Sequence, residues 1–309
     1  MKTNTFFLIA ALSSVLLSSC SNDHEPQILS DGASLNVIVE EFQVEGGNTR
    51  AVYQPSGNKL SWQTGDAIKV YDDNLRTYDL YSFSPTKRLF STEATSSDID
   101  GPISYALYPG DQVDYAGWTT YGNRAVMNIP STIVYDESIE NSSIVDGQTL
   151  YVGKLPMWGT ASGSFGNVTV NLKYLCAVMK LKVKKSKATF VKIASATKPL
   201  AGGVEAIIAK NGVTQEEPVI KKGAKSLANF YYVLLDLRQM PSEEGYVYVP
   251  IIPDTYDDMI VSYTSLDVPV GTALTNAQIA DKDEEIWTEL KAYPEGKQFK
   301  RNTVYLVNL

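Results

Sequence analysis

The feature that most constrains this chain is a recurring two-residue alternation of apolar and polar side chains. Met179, Leu181 and Val183 alternate with Lys180, Lys182 and Lys184, setting one apolar face against one basic face. That period throws successive side chains to opposite sides of a strand and cannot form the apolar stripe of a helix. Val168, Val170 and Leu172 alternate in the same way with Thr169 and Asn171. Leu35, Val37 and Val39 alternate with Asn36 and Glu40, interrupted by Ile38. Further strands are predicted at 67–71, 103–108, 204–208, 230–235, 246–252, 259–263 and 304–309, between turns rich in Gly, Pro and Asn. The best helical candidate, 276–290, is broken by the charged run from Asp281 to Glu285 and reads as a solvated loop or a short helical turn. The expected fold is therefore all-β. Roughly 280 residues of this pattern exceed one small sandwich, so two tandem antiparallel β-sandwich domains are expected. The basic stretch Lys184-Lys185-Ser186-Lys187-Ala188 marks the boundary, giving domains at 31–186 and 187–309.

The first residues set the compartment. Lys2 is a short positive region, and Phe6 to Leu17 is an apolar stretch too short to span a bilayer. It ends in Leu17-Ser18-Ser19-Cys20, which resembles a bacterial lipobox: a branched apolar residue, two small residues, then the Cys that takes lipid. Residues 1–19 are read as a lipoprotein signal peptide, Cys20 as the lipidated terminus and 20–30 as a polar tether. A lipid of this kind anchors a protein without a spanning helix. Asp23 and Glu25 resemble the acidic signal that sends some lipoproteins to the outer leaflet, so an outer-membrane, cell-surface location is expected. Cys176 is then the one remaining thiol, and its run Leu175-Cys176-Ala177-Val178-Met179 reads as a buried small hydrophobe.

Composition removes several kinds of chemistry. A net charge of −8 argues against a nucleic-acid partner, which needs surplus Lys and Arg. The one His, His24, lies in the tether, which leaves no material for a His-based nucleophile or zinc site. No phosphate-binding glycine loop and no nucleophile elbow is present. Asp254, Asp257 and Asp258 could form a carboxylate pair for glycoside chemistry, but their context is that of a turn between strands. Asp98, Asp100 and the run 281–285 lack the spacing of a calcium loop. No enzyme activity and no cofactor are expected. Tyr105, Tyr108, Tyr115, Trp118 and Tyr121 could build a sugar-stacking platform, or could pack in the core.

Several pieces, in order, resemble the fimbrillin-like proteins, subunits of type V pili. They are Thr49-Arg50-Ala51, then Trp62-Gln63-Thr64-Gly65-Asp66-Ala67-Ile68-Lys69-Val70-Tyr71, then Tyr105-Ala106-Leu107-Tyr108-Pro109. Leu155-Pro156-Met157-Trp158-Gly159 and Leu172-Lys173-Tyr174-Leu175-Cys176-Ala177-Val178-Met179-Lys180-Leu181 follow, and Lys300 to Leu309 resembles the closing strand. The first long motif specifies fold rather than activity, with Trp62 expected in the core above the turn at Gly65-Asp66.

The resemblance implies that the two tandem β-sandwich domains are transthyretin-like, and that the chain is a structural pilus subunit or adhesin, exported as a lipoprotein and assembled by donor-strand exchange. A protease would cut between Arg50 and Ala51, the first strand (35–39) would leave, and a strand from a neighbour would take its place. Val304, Leu306 and Asn308, on the terminal strand, are the donor candidates. The implied partners are other pilus subunits in a homo- or hetero-polymer, the membrane through the lipid, and a host or bacterial surface ligand. The alternative is a lipid-anchored glycan-binding protein.

Overall fold

The computed structural model describes residues 33–45, 62, 64–110, 113–119, 122–135, 142–145, 148–152, 154–210, 213–222, 228–280 and 286–308. Strands dominate it. The first are β1 (Ala33–Val39), β2 (Gln43–Val44), β3 (Ala67–Asp72), β4 (Tyr78–Ser84), β5 (Leu89–Thr92) and β6 (Ile103–Tyr108). Next come β7 (Val113–Thr119), β8 (Gly122–Ile129), β9 (Thr132–Val134), β10 (Ser142–Val145) and β11 (Gln148–Val152). The middle of the chain adds β12 (Met157–Ser164), β13 (Asn167–Tyr174), β14 (Ala177–Lys184), β15 (Phe190–Ala194), β16 (Ala201–Lys210) and β17 (Val213–Lys222). Then follow β18 (Asn229–Phe230), β19 (Tyr232–Asp236), β20 (Glu244–Ile251), β21 (Asp254–Tyr256) and β22 (Ile260–Thr264). After the helical turn α1 (Asn276–Ala280), the chain ends with β23 (Thr288–Ala292), β24 (Lys297–Phe299) and β25 (Thr303–Asn308).

Seven strands close on themselves in the order β1-β13-β12-β6-β3-β4-β5. An open sandwich leaves two separate sheets, whereas here β1 bonds to strands on both sides and shuts the ring. A six-stranded sheet runs β10-β11-β20-β14-β25-β2, and two five-stranded arrays run β23-β22-β15-β19-β9 and β17-β16-β8-β7 with β18 attached to β16. Strand pairs cross position 186 repeatedly: β14 pairs with β20 and β25, β8 with β16, and β9 with β19. The barrel strands lie within 33–174, while β7–β11 leave it to join sheets built from the later chain.

The alternation works as the sequence predicts. On β14, Met179, Leu181 and Val183 are buried while Lys180, Lys182 and Lys184 sit at partial exposure. On β13, Val168, Val170 and Leu172 are buried. Ile38, the interruption in the first strand, does not break the pattern: it points outward and is 41% exposed. Prolines sit where the ladder tolerates them. Pro218 lies on β17, at one end of its sheet, and Pro250 lies beyond the stretch of β20 that pairs with β11.

One apolar cluster runs from Ala33 to Val307. A second gathers Phe190, Leu234, Leu274 and Trp287, with Leu266, Val268, Ile279 and Ile286 packed against it. Of the stretch 276–290, expected to be a solvated loop or a short helical turn, the described residues include the turn α1, and Ile279, Ile286 and Trp287 belong to this cluster. Trp287 donates its indole N–H to the Gln278 carbonyl at 2.8 Å, and Lys192 donates to the Ile279 carbonyl at 3.0 Å with its ammonium 4.2 Å from the Trp287 ring. Arg238 is paired with Asp236 and donates to the carbonyls of Val268, Pro269 and Thr272. Two buried cations thus hold the segment by its carbonyls, a device that apolar periodicity cannot signal.

Candidate functional site

The first strand and its seat form the site. β1 runs parallel to β13, with Leu35 opposite Val168, Val37 opposite Val170 and Val39 opposite Leu172. On its other side it runs antiparallel to β5, but only over Ala33, Ser34 and Leu35. From Asn36 onward β13 is the single partner strand of β1 among the described residues. Ala33 and Leu35 are buried, and Val37 and Val39 pack half-buried on the core. Ser34, Asn36 and Ile38 face outward. Every ladder bond of β1 is thus made to chain distant in sequence, and its apolar row is one wall of the barrel interior.

Beyond β1 the chain is strapped down by the turn that precedes β25. The Glu40 carboxylate accepts from the Arg301 guanidinium and from the Tyr174 N–H. Arg301 also donates to the Tyr174 carbonyl at 2.9 Å. The Glu40 N–H reaches the Leu172 carbonyl at 2.9 Å, which continues the β1–β13 ladder. Phe42 stacks on the Tyr174 ring, with centroids 4.0 Å apart and planes 18° apart. Asn302 donates its amide to the Glu41 carbonyl at 2.9 Å and accepts from the Gln43 N–H through its own carbonyl at 2.9 Å. Asn302 has φ +56°, a left-handed conformation that Asn tolerates well. β2 then lies parallel to β25, with Gln43 opposite Thr303 and Val44 opposite Val304, and Glu45 pairs with Lys297.

The Glu40–Arg301 pair is largely dry, with side chains 19% and 13% exposed. Burial raises the Glu40 carboxyl above the usual carboxylate range, outweighing the opposing pull of Arg301. Ionised Glu40 therefore does not stabilise the fold on balance, as expected of a desolvated pair. Below it, burial pushes the Cys176 thiol up to about 12, and its carbonyl accepts from the Asn302 N–H at 3.0 Å.

The predicted site residues fall in different places. Cys20, Arg50 and Ala51 lie outside the described residues. Val304 is fully buried on β25, Leu306 is 42% exposed on the same strand, and Asn308 ends it. β25 is itself paired on both sides, with β14 and with β2. Trp62, expected in the core, is only half-buried. It meets Phe90 at 4.9 Å and Tyr108 at 5.1 Å edge-on, so it covers the core rather than filling it. Asp66 from the same motif is buried, as are Ala67, Ile68, Val70 and Tyr71, and it accepts from the Tyr108 hydroxyl at 2.8 Å. The two motifs are therefore halves of one structural joint.

Among the described side chains the competing chemistries find little geometry; the side chains of Tyr115, Trp118 and Tyr121 lie outside them. Tyr105 and Tyr108 are buried and cannot serve as a sugar platform. Asp258 accepts from Ser195, Thr197 and the Ala196 N–H, Asp257 from the Gly296 N–H, and Asp254 pairs with Lys198 at 3.6 Å. These carboxylates hold loops together. Among the described residues, no group of three or more His, Cys, Asp or Glu comes together as a metal site. Nor is any described helix long and apolar enough to cross a membrane.

No protein-family model and no curated protein matches the chain. Solved structures similar to it include a Bacteroides ovatus protein described as a cell adhesion protein, at 12% identity over 90% of this chain and 93% of that one, with a TM-score of 0.41. A fimbrial protein from Bacteroides ovatus matches at 11% identity over 91% of this chain and 49% of its own, with a TM-score of 0.39. The fimbrial anchor protein Mfa2 from Porphyromonas gingivalis matches at 11% identity over 87% of this chain and 100% of its own, with a TM-score of 0.27. Likeness at this level fixes neither assembly nor ligand.

Proposed function

We propose that this chain is a subunit or adhesin of a cell-surface pilus, exported through residues 1–19, lipidated at Cys20 and assembled by strand exchange. The observation that carries the reading is the seat of β1. It is the closing strand of a barrel, bonded among the described residues to distant strands alone, with β5 beside less than half its length. Once the chain is cut at Arg50, β1 is held by noncovalent contacts alone. Its departure leaves the apolar row of Phe90, Val168, Val170 and Leu172 and two unpaired edges. Such a groove is costly to leave in water and is well suited to a strand from another subunit. β25 is the proposed donor, through Val304, Leu306 and Asn308, after displacement from its own sheet. In this reading the barrel strands and the later sheets are two tandem lobes, each receiving part of the amino-terminal segment.

The test is Arg50→Ala in the full-length exported protein. The expected product is a folded, surface-held monomer, where the wild type polymerises. Polymers formed by the variant would overturn cutting at Arg50 as the trigger.

A further inference from the structure

We propose that the outer face of β14 and β20 is a binding site for an anionic polysaccharide, with Lys180, Lys182 and Lys184 as a cationic row and Tyr246 as its flank. The inference stands apart from strand exchange, because β14 and β20 are neither the strand that leaves nor the strand that is donated.

Charge is spread unevenly over the sheets. The chain as a whole carries −8. The strands β10-β11-β20-β14-β25-β2 hold three lysines and one carboxylate, Glu244, so this sheet is basic within an acidic protein. The lysines occupy every second position of β14, so they share one face and follow one another at about 7 Å. Met179, Leu181 and Val183 fill the core from the other face. β20 lies antiparallel alongside, with Tyr248 opposite Lys180, Tyr246 opposite Lys182 and Glu244 opposite Lys184. The row grows drier from one end to the other. The Lys184 side chain is 43% exposed and pairs with Glu244 at 3.2 Å. The Lys180 ammonium lies 4.0 Å from the Tyr246 ring and 5.6 Å from the ring of buried Tyr248. Burial there lowers the pKa of Lys180 to about 8. A cation kept partly out of water attracts an anion more strongly than a solvated one, and like charges along the strand add to its field. Lys182, between the two ends, makes no ion pair or ring contact among the described residues. Shape selects the class of ligand. β14 and β20 are interior strands of their sheet, so a partner cannot extend the ladder there and must lie across the face. An extended polymer with anions at intervals meets such a row along its length. The Tyr246 ring and the lysine stems give its sugar rings apolar ground.

The test uses the intact surface protein, extracted in detergent, and measures its binding of polygalacturonate, heparin and neutral dextran by calorimetry. At least one of the two acidic polymers should bind, dextran should not, and binding should weaken as salt rises. Lys180→Gln and Lys182→Gln should each weaken it about fivefold, and the double variant about twentyfold. Lys180→Arg keeps the charge and should keep most of the binding, which separates loss of charge from loss of fold. Lys87, exposed in the turn between β4 and β5, is the control: Lys87→Gln changes net charge by the same amount and should leave binding unchanged. Failure of both acidic polymers to bind overturns the site. Equal losses in Lys87→Gln and Lys182→Gln also overturn it, because they show attraction by net charge alone. Tighter binding of polyglutamate or of phosphatidylglycerol vesicles than of either polysaccharide overturns the choice of ligand and the proposal with it.

Discussion

Single residues divide here into those that fill space and those that carry charge. Gly159 in β12 is of the first kind: a Cβ there would sit 1.9 Å from the Asn171 carbonyl oxygen, so the two strands approach closely only because the side chain is absent. Gly159→Ala should cost about 2–3 kcal/mol in urea denaturation, since the colliding atom is backbone and cannot swing away. Trp62→Ala should cost about 2 kcal/mol rather than the ~3–5 kcal/mol of a fully enclosed aromatic, because the ring is only partly buried against the core. Cys176, buried with its thiol pushed up to about 12, should resist a thiol reagent at neutral pH in native Cys20→Ala protein and react once urea unfolds it. Fast native labelling would show that the strands around it open. Glu40 is of the second kind. Its folded pKa lies above the ordinary 4.5, so the native chain holds that proton more tightly than the unfolded chain. The stability it contributes is complete below the unfolded value and declines as pH rises through the folded one. Relative to Glu40→Gln, which does not titrate, wild type should be more stable near pH 4 than near pH 7, read from denaturation midpoints. A gap that widens with pH contradicts the assignment.

At the scale of elements, what could be read from the sequence follows from what alternation encodes. β13 was legible because its burial follows position parity, and parity survives even Ile38 in β1. The predicted strand over 230–235 divides at Tyr231, where β18 turns to pair with β16 and β19 to pair with β15. Parity carries no information about which sheet a strand joins. Closure of the barrel was invisible for the same reason, since it depends on β1 choosing β13 and β5 together. The site was half legible. Its strand was marked by its pattern, but Glu40 and Arg301 stand 261 positions apart and meet only because β2 lies along β25. Two local signals were present: a carboxylate closing an apolar strand, and an Arg-Asn turn opening the last one. Neither names the other.

At the scale of the whole molecule, the proposal concerns where the chain is held and when it is released. Cys20→Ala should leave an unprocessed precursor that separates from the membrane fraction, and membrane retention of that variant would refute lipidation at Cys20. Mass spectrometry of wild-type surface material should find Ala51 at the amino terminus of polymer and lipidated Cys20 at that of monomer. The parallel pairing of β2 with β25 has a further consequence, for timing. A strand that begins the chain is secured by one that ends it, so the closing loop spans nearly the entire sequence and its formation is slow. As the chain emerges amino terminus first, β1 gains β5 and then β13 well before β25 is made, so the strap at Glu40 and the β2–β25 pair are the last joint of the amino-terminal segment to close.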